Sequence, residues 1–151
     1  MSERYIPLLD GIKAQLQAIA PGRVVTRNWK PFQNCAQADL ARGIWTIRTS
    51  GIPRYPYEAS DGQFATDGLR ATENGRLRIV IVGQLQLSPG ATGEEIDAAE
   101  FGLINELEQL ADRAIETDGL EALLLKDVAM SQQVETPFAW VYSTWEVFSV
   151  N

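Results

Sequence analysis

The sequence predicts an α+β domain with a mixed or mainly antiparallel sheet and two main helices packed on one of its faces. Three stretches predict it. Between Gly75 and Leu87, residues Leu77, Ile79, Ile81, Leu85 and Leu87 alternate with Arg78, Val80, Val82, Gln84 and Gln86, the period-2 pattern of a long strand with one dry face. From Thr92 to Thr117, Ile96, Ala99, Leu103, Leu107, Leu110 and Ala114 recur every three or four residues and form one apolar stripe. Glu94, Glu100, Glu106, Glu108, Asp112 and Glu116 are expected to face mostly elsewhere. At the C-terminus, Phe138, Trp140, Tyr142, Phe148 and Val150 alternate with Val141, Trp145 and Val147. A strand with large apolar groups on both sides is expected to be covered twice, by helices and by something else, another subunit being one option.

Taken in order, Ile6, Leu9, Ile12, Leu16 and Ile19 repeat at helical spacing from Tyr5 to Ala20, and Pro21-Gly22 ends the pattern. This is an amphipathic first helix. Val24, Val25 and Thr26, leading to Trp29, read as a strand closed by Pro31, with Trp29 as a core anchor. Asn34 to Arg42 fits either a short helix or a connecting loop. Gly43 to Thr49, with Ile44, Trp45, Thr46 and Ile47, carries the branched and aromatic residues that suit a second strand.

Ser50 to Gly75 is different in kind. It holds Asp61-Gly62, Asp67-Gly68 and Asn74-Gly75, each a turn signal, together with Pro53 and Pro56. A structureless loop of this length is uncommon inside a domain, so a protruding arm or hairpin is expected at about 50–75, with a strand near Leu69 to Thr72 and a tight turn at Asn74-Gly75. Arg54, Tyr55, Tyr57 and Phe64 near its tip are the candidate interface residues; the same aromatics would also serve to tuck the arm onto the body. Beyond it, Thr92 with Glu95 reads as a capping box at the start of the long helix. Thr117-Asp118-Gly119 stops that helix, Leu120 to Leu125 is compatible with one more helical turn, and Lys126 to Glu135 reads as a strand. Thr136-Pro137 then turns the chain into the last strand.

At 151 residues, with 45% hydrophobic and 22% charged residues, the chain has the profile of one globular domain, 1–151. It is long enough to bury a sizeable core without a metal or a disulfide staple. Cys35 is the single cysteine, so no intrachain bridge is possible and a reducing compartment fits. No stretch approaches the roughly 20 apolar residues of a membrane span, and a soluble protein made inside the cell is expected. The net charge of −7 is unevenly spread. Met1 to Gly93 has 11 Lys and Arg against 7 Asp and Glu, net +4, whereas Glu94 to Asn151 has 2 against 13, net −11. A solvated helix face explains part of this; self-association, basic patch on acidic patch, explains it too. Specific nucleic-acid binding is disfavoured, because phosphates are repelled by the acidic half and the arginines of the first half form no dense run.

The chain has no histidine, which removes the commonest general base and the commonest neutral metal ligand. Cys35 has no sequence neighbour suited to activate it except Lys30, and an incidental thiol is expected. Ser88 to Glu94 resembles an anion cradle only superficially, since Glu94, Glu95 and Asp97 would repel an anion at that helix start. Asp10, Asp39 and the helix carboxylates lack the oxygen-ligand spacing of a calcium loop. No catalytic residue, cofactor or metal is therefore expected, and the chain is not expected to be an enzyme.

The order of elements is what carries a resemblance. An amphipathic first helix, early strands, a Gly-rich arm, the strand Gly75-Arg-Leu-Arg-Ile-Val-Ile-Val-Gly83-Gln-Leu, a long acidic helix and two closing strands resemble, from Tyr5 to Val150, the tail-terminator (tail-completion, minor tail protein U-like) proteins of long-tailed phages and prophages. The resemblance implies a structural virion protein that forms a homo-oligomeric ring, a hexamer, at the head-proximal end of the tail. Its partners would be other copies of itself, the tail-tube protein and a head-completion or neck protein, with no membrane. It would be made in the bacterial host cytoplasm. The family offers no motif residues to transfer, and the length of the 50–75 arm departs from its pattern. Alternatives are a neck or other tail-associated protein or, from another class, a small cytosolic enzyme or ligand-binding domain using a carboxylate with Trp29 or Trp45.

Overall fold

The first helix begins where the apolar spacing begins. In the computed structural model, which describes residues 5–52, 76–113 and 119–149, α1 (Tyr5–Ile19) turns Leu8, Leu9, Ile12 and Leu16 inward, positions that share one side of a helix. β1 (Val24–Thr26) follows. The chain then crosses over through residues 27–43, with a 3-10 turn (Phe32–Asn34) and a short α2 (Gln37–Arg42), and returns beside β1 in parallel as β2 (Ile44–Gly51). β3 (Arg76–Gln86), α3 (Gly93–Arg113), β4 (Leu120–Met130) and β5 (Phe138–Ser149) complete the order.

The sheet runs β1-β2-β3-β5-β4. Only β1 and β2 are parallel; β2-β3, β3-β5 and β5-β4 are antiparallel. This is the mixed, mainly antiparallel α+β sheet that the sequence predicts. Leu9, Ile12 and Leu16 of α1 and Leu103, Leu107 and Leu110 of α3 enter one buried cluster with Trp45, Ile47, Ile79, Ile81, Val141 and Trp145. Both long helices thus cover the same face, and each fully buried aliphatic side chain there contributes roughly 1.5–3 kcal/mol. The start of α3 is fixed by the expected reciprocal cap: the Glu95 N–H donates to Thr92 Oγ1 at 3.2 Å, and the Thr92 N–H donates to Glu95 Oε1 at 3.2 Å.

Several expectations are corrected. Leu120 to Leu125 is not a helical turn but the first half of β4. Gly119, in the left-handed region at φ 82°, turns the chain, after which Leu120 and Leu123 drop into the core while their backbone pairs with β5. The strand expected from Lys126 to Glu135 accordingly starts earlier and ends at Met130. β3 has two dry faces, not one: Val80, Val82 and Gln84 are buried as well as Leu77, Ile79 and Ile81. One cause is the crossover, whose Lys30 carbonyl accepts from Gln84 Nε2 at 3.2 Å over that second face.

Two carboxylates of α3 also turn inward. Glu100 is fully buried. It accepts from the backbone N–H of Ser131 at 3.3 Å, from the Ser131 hydroxyl, and from the Trp140 N–H at 3.1 Å, so it ties the helix to both ends of the β4–β5 turn. Glu106 accepts from Arg23 Nε and Nη2 at 2.8 Å and from Trp45 Nε1 at 2.9 Å. The candidate arm residues Arg54, Tyr55, Tyr57 and Phe64, the strand expected near Leu69 to Thr72 and the Asn74-Gly75 turn lie outside the described residues, as does the expected helix end at Thr117.

Candidate functional site

The second face of the sheet, away from α1 and α3, is where the surface concentrates chemistry. β1 stops after three residues because the Asn28 N–H donates to Thr26 Oγ1 at 3.0 Å, a local side-chain bond that competes with further strand pairing. The following residues pass over the sheet. Trp29, expected as a core anchor, is instead 39% exposed. Its ring lies 5.2 Å from the guanidinium carbon of Arg48 on β2, a cation–π distance. Pro31 leads into the 3-10 turn, whose Phe32 packs tilted on Phe138 of β5 at 4.7 Å between centroids.

These elements enclose an aromatic groove of about 390 Å³, lined by Trp29, Pro31, Phe32, Val82, Trp140 and Tyr142 with Gln33, Gln84 and Glu135 at its margins. Tyr142 is 38% exposed, and the Trp140 indole donates to Glu135 Oε1 at 3.3 Å. The strand alternation places Trp140 and Tyr142 on this face and sends Val141 and Trp145 into the core. Lys30, Arg48 and Arg78 bring positive charge to the same side, and none of them forms an ion pair with a described residue. The groove was legible only in part. The alternation of β5 announces aromatics on both of its faces, but nothing local in the sequence lifts Trp29 out of the core.

Beside it, under the crossover, lies a polar pocket of about 410 Å³ lined by residues that include Thr26, Lys30, Cys35, Asp39, Thr46 and Gln84. Thr46 Oγ1 and Gln84 Oε1 are buried there without a hydrogen-bond partner, so both suit a polar guest or ordered water. The Cys35 thiol donates to the carbonyls of Lys30 and Pro31 at 3.5 and 3.4 Å. Burial pushes this thiol above the ordinary thiol range, with Lys30 opposing and Asp39 adding to the shift. It is therefore protonated at neutral pH and is not an activated nucleophile. Trp45 is fully buried and bonded to Glu106, so it cannot stack on a ligand. Asp10 on α1 and Asp39 on α2 belong to separate elements. Among the described residues, no group of three or more His, Cys, Asp or Glu side chains is placed to hold a metal ion, and no helix is long and apolar enough to cross a membrane.

The outer side of α3 is the opposite in character. Glu94, Phe101, Asn105, Glu108 and Asp112 fall at spacings that share one stripe, all exposed, with Phe101 at 60%. An aromatic surface that carries Lys30, Arg48 and Arg78 together with Glu135, and an acidic one with a single phenyl group at its middle, thus lie on opposite sides of the two layers. The sequence matches no protein-family model, and no curated protein matches it.

Proposed function

We propose that this protein is a structural component of a phage or prophage tail, a terminator that caps the tail tube as a homo-oligomeric ring, joins it to the head through a neck protein, and turns over no substrate. The observation that carries the reading is the placement of complementary surfaces on opposite sides of one copy: Trp29, Tyr142 and Arg48 on the second sheet face, and Glu94, Glu108 and Asp112 on the outer face of α3. Two different patches that fit one another give head-to-tail contacts, the kind that closes rings. The order of elements, which resembles that of tail terminators, points the same way.

Ending a polymer also needs a surface on which the next subunit cannot add. β4 is an outer strand of the sheet, and it is blunted by register shifts at Leu120/Ala122 and Leu125/Asp127 and by exposed Glu121, Lys126 and Asp127. Irregularities and charges of this sort discourage strand addition. Deleting the gene from the phage that encodes it tests the proposal. Tails of abnormal length that fail to join filled heads are expected; head-attached tails of normal length would refute it.

The polar pocket favours a second reading, a domain that binds a small polar molecule, because Thr46 Oγ1 and Gln84 Oε1 are buried and unpartnered there. One Nε2–H of Gln84 is held by the Lys30 carbonyl, and a guest that satisfies the unpartnered Gln84 Oε1 would bring an N–H or O–H. A high-resolution crystal structure that shows water alone in this pocket would leave the assembly reading unopposed.

A further inference from the structure

We infer that the docking partner of the aromatic groove is the α3 face of a second copy of this chain, with Phe101 as the inserted group; this rests on the self-assembly reading above and deepens it. Three observations select this occupant. The first is shape and chemistry: the groove is walled by Trp29, Phe32, Val82, Trp140 and Tyr142 and holds about 390 Å³, ample for one phenyl ring, and aromatic pairs gain from edge and offset contacts beyond area alone. The second is that Phe101 stands out of the helix without cover, 60% exposed. Its neighbour Gly102 has nothing within 4 Å of where a Cβ would lie, so a partner can approach the helix closely at that point.

The third observation is charge. Around Phe101 the stripe carries Glu94, Glu108 and Asp112, while beside the groove stand Arg48, over the ring of Trp29, and Lys30, between the lining residues Trp29 and Pro31. None of these five charges forms an ion pair with a described residue. One opposing charge, Glu135, sits at the groove margin, where it is already engaged by the Trp140 indole. Docking Phe101 therefore brings the acidic stripe towards Lys30 and Arg48, a complementary arrangement of charge. A contact with a central aromatic anchor and a charged rim has the anatomy of a specific interface. Because knob and groove lie on opposite sides of the same copy, the contact is head-to-tail and cannot be satisfied by a two-fold dimer.

The test uses full-length protein carrying Cys35→Ser, so that introduced thiols are the only ones. Two preparations, one with Phe101→Cys and one with Tyr142→Cys, are oxidised separately and as a mixture. A disulfide-linked dimer is expected in the mixture and not in either preparation alone. Sedimentation velocity of the parent protein should show association that weakens at high salt, and Phe101→Glu should weaken it at least about tenfold while leaving the circular dichroism spectrum and melting temperature unchanged. Tyr142→Ala serves as the second variant, from the groove side. Dimers that form within the Phe101→Cys preparation alone, association untouched by Phe101→Glu, or a parent that stays monomeric at every concentration would overturn the assignment. A deletion phenotype of abnormal tails together with any of these results would refute this contact and spare the terminator reading.

Discussion

Trp45 and Gly83 face each other across β2 and β3, and the indole occupies the space that any side chain at position 83 would need. A Cβ on Gly83 would lie 2.8 Å from Trp45 Cζ3. The ring cannot step aside, because Trp45 is fully buried and its Nε1–H is held by Glu106 Oε1 at 2.9 Å. Gly83→Ala is therefore expected to destabilise by about 1–3 kcal/mol through overpacking, only partly offset by the roughly 0.5–1 kcal/mol gained from removing a strand glycine. Urea unfolding measures it, and an unchanged or raised midpoint would contradict this packing.

Glu100 offers a sharper case. Replacing it with Leu leaves the backbone donors of Ser131 and Trp140 buried and unpaired, at about 1–3 kcal/mol each. Glu100→Leu should lower stability by roughly 3–5 kcal/mol, and Glu100→Gln, which keeps an acceptor oxygen, by distinctly less. Thermal and urea unfolding of both variants check the order. Equal stability of the Leu variant and the parent would show that the carboxylate is not the anchor of the β4–β5 turn.

The long periodic elements could be read from the sequence because their information is local. Thr92 and Glu95 are three residues apart, and their reciprocal cap appears as written; the stripe of Leu103, Leu107 and Leu110 needs only its own spacing. Glu100 could not be read, since the donors that make its burial possible stand 31 and 40 residues away. Leu120 to Leu125 has too little polar punctuation to choose between helix and strand, and the free edge of β5 decides it. The same holds for the candidate site. The aromatics of β5 were expected on two faces, but the groove exists only because the crossover carries Trp29 and Phe32 over them.

Cys35 gives a pH-dependent prediction. Burial raises its pKa in the folded state, so the native protein holds this proton more tightly than the unfolded chain. The contribution to stability is fully present below the ordinary thiol pKa and is lost as pH rises through the raised, folded value. Alkylation of the native protein by iodoacetamide should lag behind that of a free thiol between neutral pH and the ordinary thiol pKa. It should catch up in denaturant. Native alkylation as fast as a model thiol at pH 8 would contradict a half-buried, protonated Cys35.

The central claim is that this chain stops a growing tube by assembling on its end. Its most direct test is electron microscopy of tail tubes polymerised from the tube protein that the proposal makes its partner, with and without the purified protein. The account expects tubes that stop growing when the protein is added, each with a ring of extra density at one end, and no such ring with the Phe101→Glu variant. Tubes that lengthen at the same rate in its presence, with both ends bare, would contradict it.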